Sequence, residues 1–342
     1  AATGAAGFVF SHRQNDAFIV VNRLLKAGAE VYSLPDSFYV SGGAEVTPVV
    51  QKAAAGLGVD FAGVAARPAG PARALRPVRI GLWDRYGGSV ESGWIRWLLE
   101  RYEFPFDVVY PQVLDAGNLY ARYDVLIFPT AAIPGGNAPP GAAVASLPSE
   151  YANQAGTVTV ARTVPQLKTF VEDGGRLIAI GSSTNVARLF GLPVTSALVA
   201  KGSDGAVRPL SRSQFYVPGS ILRVSVDTAS PVAFGLDHDV DVFFDDSPAF
   251  ALDTTTAAGI GRVAWYDSET PLRSGWAWGQ AALKGAAAVV DAPLGKGRVL
   301  LFGPEITFRA QPHGTFKLLF NAIDYGSAAP PSSQALALSR KD

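Results

Sequence analysis

Val78-Arg79-Ile80-Gly81-Leu82-Trp83 is an apolar run of strand length, and the segments after it decide the fold. Residues 91–101 place Trp94, Trp97 and Leu98 on one side of a helix, and Phe106-Asp107-Val108-Val109-Tyr110 returns to strand. Val125-Leu126-Ile127-Phe128 is a third strand. Apolar strands alternating with helices predict an α/β fold, a parallel sheet with helices on both faces. Ligands of such sheets bind at the carboxyl ends of the strands.

The same pattern extends downstream. Residues 164–172 read as a helix ended by Gly174-Gly175, and Leu177-Ile178-Ala179-Ile180-Gly181 as a strand running into Ser182-Ser183-Thr184. Between the third strand and that helix comes a long segment, 133–157, rich in Gly, Ala and Pro, a composition of lids, binding loops or disordered chain. Past Leu192 short strands between turns predict a β-rich insertion at about 195–285. Sheet pattern resumes where 288–291 pairs with 299–302 across Gly295-Lys296-Gly297, and 315–323 is the last helix. A Pro- and Ser-rich flexible tail, 327–342, ends the chain.

Upstream, residues 1–75 read as a small α/β unit whose helix carries Phe18, Val21, Leu24 and Leu25 and stops at Gly28. The Ala-, Pro- and Arg-rich stretch 65–77 reads as a linker, so the main domain is expected over 76–326.

Composition removes several functions. Lys plus Arg is 29 and Asp plus Glu is 29 in 342 residues, so the basic footprint of a nucleic-acid binder is missing. No apolar window reaches the roughly 18 residues of a membrane span. Cys is absent, which excludes disulfides, thiolate metal sites and a Cys nucleophile. Met is absent too, so a chain opening Ala1-Ala2-Thr3-Gly4 is expected to be a processed product or a piece of a longer one. Avoidance of both sulfur residues suits an oxidising exterior, and equally a GC-rich codon bias.

Several residue groups could carry chemistry. Ser182 and Ser183 stand at the strand-to-helix turn where hydrolase nucleophiles sit, but Asn185 replaces the last Gly of the elbow, so a cap on the next helix is the competing role. Glu305 and His313 come after the last strand, where an acid and a base would stand. Asp84, Arg85, Gly87, Gly88 and Ser89 form the loop after the first parallel strand, a ligand site or a tight turn with a Ser cap. Trp276 and Trp278 alternate, giving either a platform for a sugar or peptide or packing against the insertion. Asp237, Asp239 and Asp241 would repel one another on a strand unless calcium or solvent relieved them. The three histidines, His12, His238 and His313, are too scattered for a zinc site, and no cofactor is expected.

Four segments carry a family likeness: Gly81-Leu82-Trp83-Asp84-Arg85-Tyr86-Gly87-Gly88-Ser89, Val240-Asp241-Val242-Phe243-Phe244-Asp245, Ser274-Gly275-Trp276-Ala277-Trp278-Gly279 and Phe302-Gly303-Pro304-Glu305-Ile306-Thr307-Phe308-Arg309. Together with Asn15-Asp16-Ala17-Phe18 and Asn22-Arg23-Leu24-Leu25-Lys26 they resemble the C-terminal region of large secreted bacterial zinc carboxypeptidases of the carboxypeptidase A-like type. The resemblance implies a flavodoxin-like, class I glutamine amidotransferase-like sheet, with zinc held only by a catalytic domain this sequence lacks. It adds Arg309 to the ligand-contact candidates. It also implies a secreted, periplasmic or cell-surface location, and as partner a peptidase domain of the same precursor or a peptide, glycan or surface ligand. In the amidotransferase motif a Cys nucleophile would stand near Gly181 or Ser182 and a His base at Gly303, while Glu305 is kept. Losing nucleophile and base removes the mechanism. The expectation is therefore a non-catalytic accessory or binding module. The alternatives are a divergent serine hydrolase using Ser182 or Ser183, and a self-assembling extracellular structural protein.

Overall fold

The computed structural model describes residues 6–135, 148–253 and 259–325. The expectations for the chain's first residues, its tail and the middle of the long Gly-, Ala- and Pro-rich segment lie outside them.

The amino-terminal part contains β1 (Gly7–Ser11), α1 (Ala17–Lys26), β2 (Val31–Ser33), β3 (Ser37–Ser41), α2 (Val46–Leu57), β4 (Phe61–Val64) and β5 (Arg73–Ala74). Its strands form one antiparallel sheet in the order β4-β1-β3-β2-β5. The stretch read as a linker is thus partly a strand. Pairing of Tyr32 with Ala74 and Ser33 with Arg73 covers the open edge of β2, which overrides the local composition.

The second part begins with β6 (Ile80–Trp83), α3 (Val90–Arg101), β7 (Phe106–Val109), α4 (Pro111–Asp115), α5 (Leu119–Arg122) and β8 (Val125–Phe128). It continues through α6 (Thr163–Glu172), β9 (Arg176–Ile180) and α7 (Val186–Phe190). Seven strands come next: β10 (Val194–Ser196), β11 (Val199–Lys201), β12 (Val207–Pro209), β13 (Pro218–Val226), β14 (Asp239–Asp245), β15 (Phe250–Leu252) and β16 (Gly261–Trp265). The last elements are β17 (Leu272–Ser274), β18 (Ala287–Leu294), β19 (Gly297–Phe302) and α8 (Phe316–Asp324).

Strands β7-β6-β8-β9-β19 are parallel neighbours in that order. Numbered along the chain this is 2-1-3-4-5, the doubly wound flavodoxin-like order. The sheet does not stop there. The β18–β19 hairpin reverses direction and offers the free edge of β18, onto which β16, β13 and β14 add antiparallel. The longest strands of the expected insertion are therefore an extension of the main sheet.

Alternation along each parallel strand divides the core. Ile178 and Ile180 share one cluster with Leu98 of α3, Phe320 of α8 and Phe18 of α1. Leu177 and Ala179 face the other way, with Leu167 and Phe170 of α6 and Phe190 of α7. Helices on both faces are the direct result of strands apolar on both sides. Each large side chain so buried contributes about 1.5–3 kcal/mol.

Helix α3 begins at Ser89, whose Oγ accepts from the Ser92 amide at 3.2 Å. Its buried face is Ser92, Ile95, Leu98 and Leu99, and Trp97, expected on that face, is 52% exposed. Helical spacing from Ile95 selects Leu98 and Leu99 and passes over Trp97. Among the described residues no helix is long and apolar enough to cross a membrane.

Candidate functional site

The carboxyl ends of β8, β9 and β19 meet at Glu305. Its amide donates to the Phe243 carbonyl at 3.0 Å, which fixes the turn after β19. Its carboxylate accepts the hydroxyl of Thr130, two residues beyond the end of β8. Burial pushes the carboxyl up to about 7, and the negative charges of Glu91 and Asp245 push the same way against the Thr130 hydrogen bond. A carboxyl so placed keeps its proton well above its ordinary range.

Two glycines flank this group. Gly181, at the turn after β9, has φ +55, and a Cβ there would overlap both Thr130 Oγ1 and Glu305 Oε1. A side chain at 181 would therefore meet the acid and its hydroxyl partner. At Gly303, expected from the resemblance to stand where a base would be, a Cβ would overlap the backbone carbonyl of Pro248. A backbone oxygen cannot rotate aside, so a His cannot replace Gly303 without moving the strand end.

The two serines have structural work. Ser183 is fully buried; its Oγ accepts from the Ala132 and Ile133 amides at 3.1 and 3.0 Å and donates to the Pro129 carbonyl at 2.5 Å. Ser182 is exposed, and its Oγ accepts from the Ala131 amide at 2.9 Å. Neither caps α7, as sequence suggested; both tie the turn after β9 to the loop after β8. That loop needs holding, because Ala131 has φ +65, a left-handed conformation unfavourable for a residue with a Cβ. A cavity of about 430 Å³ opens beside Ser182, lined also by Arg188, Val194, Pro248 and Phe250.

His313 does not join this group. Its ring packs on Phe316 with centroids 4.8 Å apart, and its carbonyl accepts from Asn15 at 2.9 Å. Arg309 is exposed at φ +50, with its guanidinium 5.1 Å over the ring of Phe308. Phe308 in turn stacks on Phe243 at 4.2 Å.

The loop after β6 is internally satisfied. Asp84 Oδ1 accepts from the Arg85 amide at 2.8 Å, and Arg85 Nε donates to the Gly88 carbonyl at 3.2 Å. Gly87 and Gly88 have φ +79 and +78 with open space at both Cβ positions, so conformation, not crowding, selects glycine. Ser89 is buried as the cap of α3.

Trp276 and Trp278 lie away from the core, 53% and 54% exposed. Neither is a core residue, although both still touch the insertion. Ser220 Oγ accepts from the Trp276 amide at 2.9 Å, Tyr216 meets the Trp276 ring edge-on at 5.8 Å, and Trp278 Nε1 donates to the Ser213 carbonyl at 2.7 Å. Both indoles sit at the surface, the Trp278 indole held by its hydrogen bond and the Trp276 indole against Tyr216.

The aspartates predicted as a calcium group are separately engaged. Asp241 accepts from Arg223 at 2.8 and 3.1 Å, Asp239 from Ser225 at 3.2 Å, and Asp237 pairs with Arg13 at 3.1 Å. Among the described residues no group of three or more His, Asp or Glu could hold a metal ion. His12 is buried against Phe38 with ring centroids 3.6 Å apart, and burial and then Lys317 lower its pKa to about 3.

Sequence reasoning missed Thr130 and Pro248. Thr130 was in reach, since it lies just past the end of a parallel strand; Pro248 reaches the site only through the pairing that folds the extension back.

No protein-family model and no curated protein matches the sequence. The structure is similar to solved ones at low identity. A β-galactosidase from Bacillus circulans sp. alkalophilus is 10% identical with a TM-score of 0.41, covering 75% of this chain and 32% of its own. The chain thus spans about a third of that enzyme's length. A ThuA-like protein from Bacteroides uniformis is 12% identical with a TM-score of 0.39, over 75% of this chain and 94% of its own. PurLQS from Thermotoga maritima is 12% identical with a TM-score of 0.42, over 73% and 99%.

Proposed function

We propose that this chain is a non-catalytic accessory or binding module of a secreted zinc carboxypeptidase-like protein, built on an amidotransferase-like scaffold whose triad is lost. The observation that carries the non-catalytic reading is steric. At positions 181 and 303 the protein has glycines, and a Cβ at either would overlap Thr130 and Glu305 or the Pro248 carbonyl. Nucleophilic catalysis needs an activated side chain at the elbow and a base within reach; a side chain at 181 would have to displace Thr130 and Glu305, and one at 303 meets backbone. Ser182 is exposed, and its Oγ is engaged by the Ala131 amide rather than by a base. The binding reading is supported by Trp276 and Trp278, both half-exposed, with the Trp278 indole hydrogen-bonded to the Ser213 carbonyl.

A serine-directed fluorophosphonate is expected to label neither Ser182 nor Ser183, and peptide or glycan arrays to report binding that falls on Trp276→Ala. Labelling of either serine would overturn the non-catalytic reading. A screen against peptides, glycans and a zinc carboxypeptidase domain that found nothing would overturn the binding one. Gly303→His is expected to destabilise the fold by about 1–3 kcal/mol, the usual cost of overpacking, without creating hydrolysis.

A further inference from the structure

The opposite end of the sheet holds a second site. A cavity of about 520 Å³ lies between α1 and the amino ends of β6 and β7, within the size range of small-molecule pockets. Its apolar wall includes Leu25, Val78, Ile80, Phe104 and Phe106. Val78, Ile80 and Phe104 are buried and form the floor, with Asp324 beside them. The rim is charged, but most of that charge is already matched. Arg76 is bonded to Asp124 at 3.0 Å, Glu100 to Arg96 at 3.0 Å, and Glu103 to Arg23 at 2.6 Å. Lys26 also lines the cavity, is exposed, and makes no ion pair within 4 Å among the described residues, though its charge acts on Glu103. The chemistry on offer is an apolar interior with a cation at its mouth that no ion pair holds among the described residues.

We propose that this cavity binds a small amphiphilic carboxylate, its acyl chain against Leu25, Ile80 and Phe106 and its carboxylate at Lys26. The floor does not oppose this. Burial raises the Asp324 carboxyl to about 7, with Arg176 pulling it the other way, so below that pH the floor acid carries its proton. The cavity shares no residue with the Glu305 end, so this inference does not depend on the proposed function.

The test is calorimetric titration at pH 6 with decanoate and, as the uncharged control, decanol. Saturable binding of decanoate is expected. K26E is expected to weaken decanoate roughly tenfold while leaving decanol within about twofold, because the charge alone is changed. Leu25→Trp, which fills the cavity, is expected to abolish both. Absence of saturable decanoate binding would overturn the proposal. So would an unchanged decanoate affinity in K26E, or decanoate and decanol weakened equally. Lys26 is exposed, so K26E keeps its circular dichroism spectrum and decides the matter even if Leu25→Trp does not fold.

Discussion

Glu305 is the residue on which the carboxyl edge depends, and its protonation is measurable as stability. In the unfolded chain it ionises near its ordinary value of 4.5; in the folded protein burial delays this to about 7. Below pH 4.5 both states hold the proton and there is no penalty. Between 4.5 and 7 the unfolded state releases its proton first, so native stability falls as pH rises, and above 7 the loss is constant. Gln mimics the protonated acid and can still accept the Thr130 hydroxyl. E305Q is therefore expected to gain on the wild type from pH 4.5 to 7, by up to about 3 kcal/mol, and no further at pH 8. Urea denaturation of both proteins at pH 4, 5.5, 7 and 8 checks this. A flat difference would mean that Glu305 ionises freely. The position of Glu305 was legible in Phe302-Gly303-Pro304-Glu305; its environment was not, because Thr130 and Gly181 are distant in sequence.

At the scale of elements, one hydroxyl joins two strand ends. Ser183 Oγ holds the Ala132 and Ile133 amides and the Pro129 carbonyl, binding the loop after β8 to the turn after β9. Removing it leaves buried backbone groups unpaired, which costs more than the net value of an ordinary hydrogen bond. Ser183→Ala is expected to destabilise by about 2–4 kcal/mol, and Ser182→Ala, whose oxygen is exposed, by about 1 kcal/mol or less. Equal effects of the two in a denaturation series would contradict this division. The strand-turn-helix passage itself was legible from apolar runs ended by glycine. The role of the serines was not, since a cap and a cross-loop pin use the same residue types. Trp97 illustrates the same limit: helical spacing marked the helix, but only packing shows that Ile95, Leu98 and Leu99 take the buried face.

For the whole molecule, two sheets share one core. A single buried cluster runs from Phe8 and Phe18 through Leu98 and Ile178 to Phe320. Phe18 of α1 lies 5.1 Å from Phe320 of α8 and 6.4 Å from Phe104. Such a shared core predicts one cooperative transition: near- and far-ultraviolet circular dichroism should melt together. Two separated transitions would mean that the amino-terminal sheet unfolds alone. The parallel half of the large sheet was legible from strand and helix alternation. Its antiparallel half was not, because which edge a short strand joins depends on the hairpin that exposes that edge.

The two obstructed glycines also bear on what the protein can become. Introducing a thiol at 181 meets Thr130 and Glu305, and introducing an imidazole at 303 meets the Pro248 backbone. Either change alone burdens the fold while yielding no chemistry. A mutational path to a thiol at 181 paired with an imidazole at 303 would have to pass through at least two unrewarded steps and a shift of the chain at Pro248.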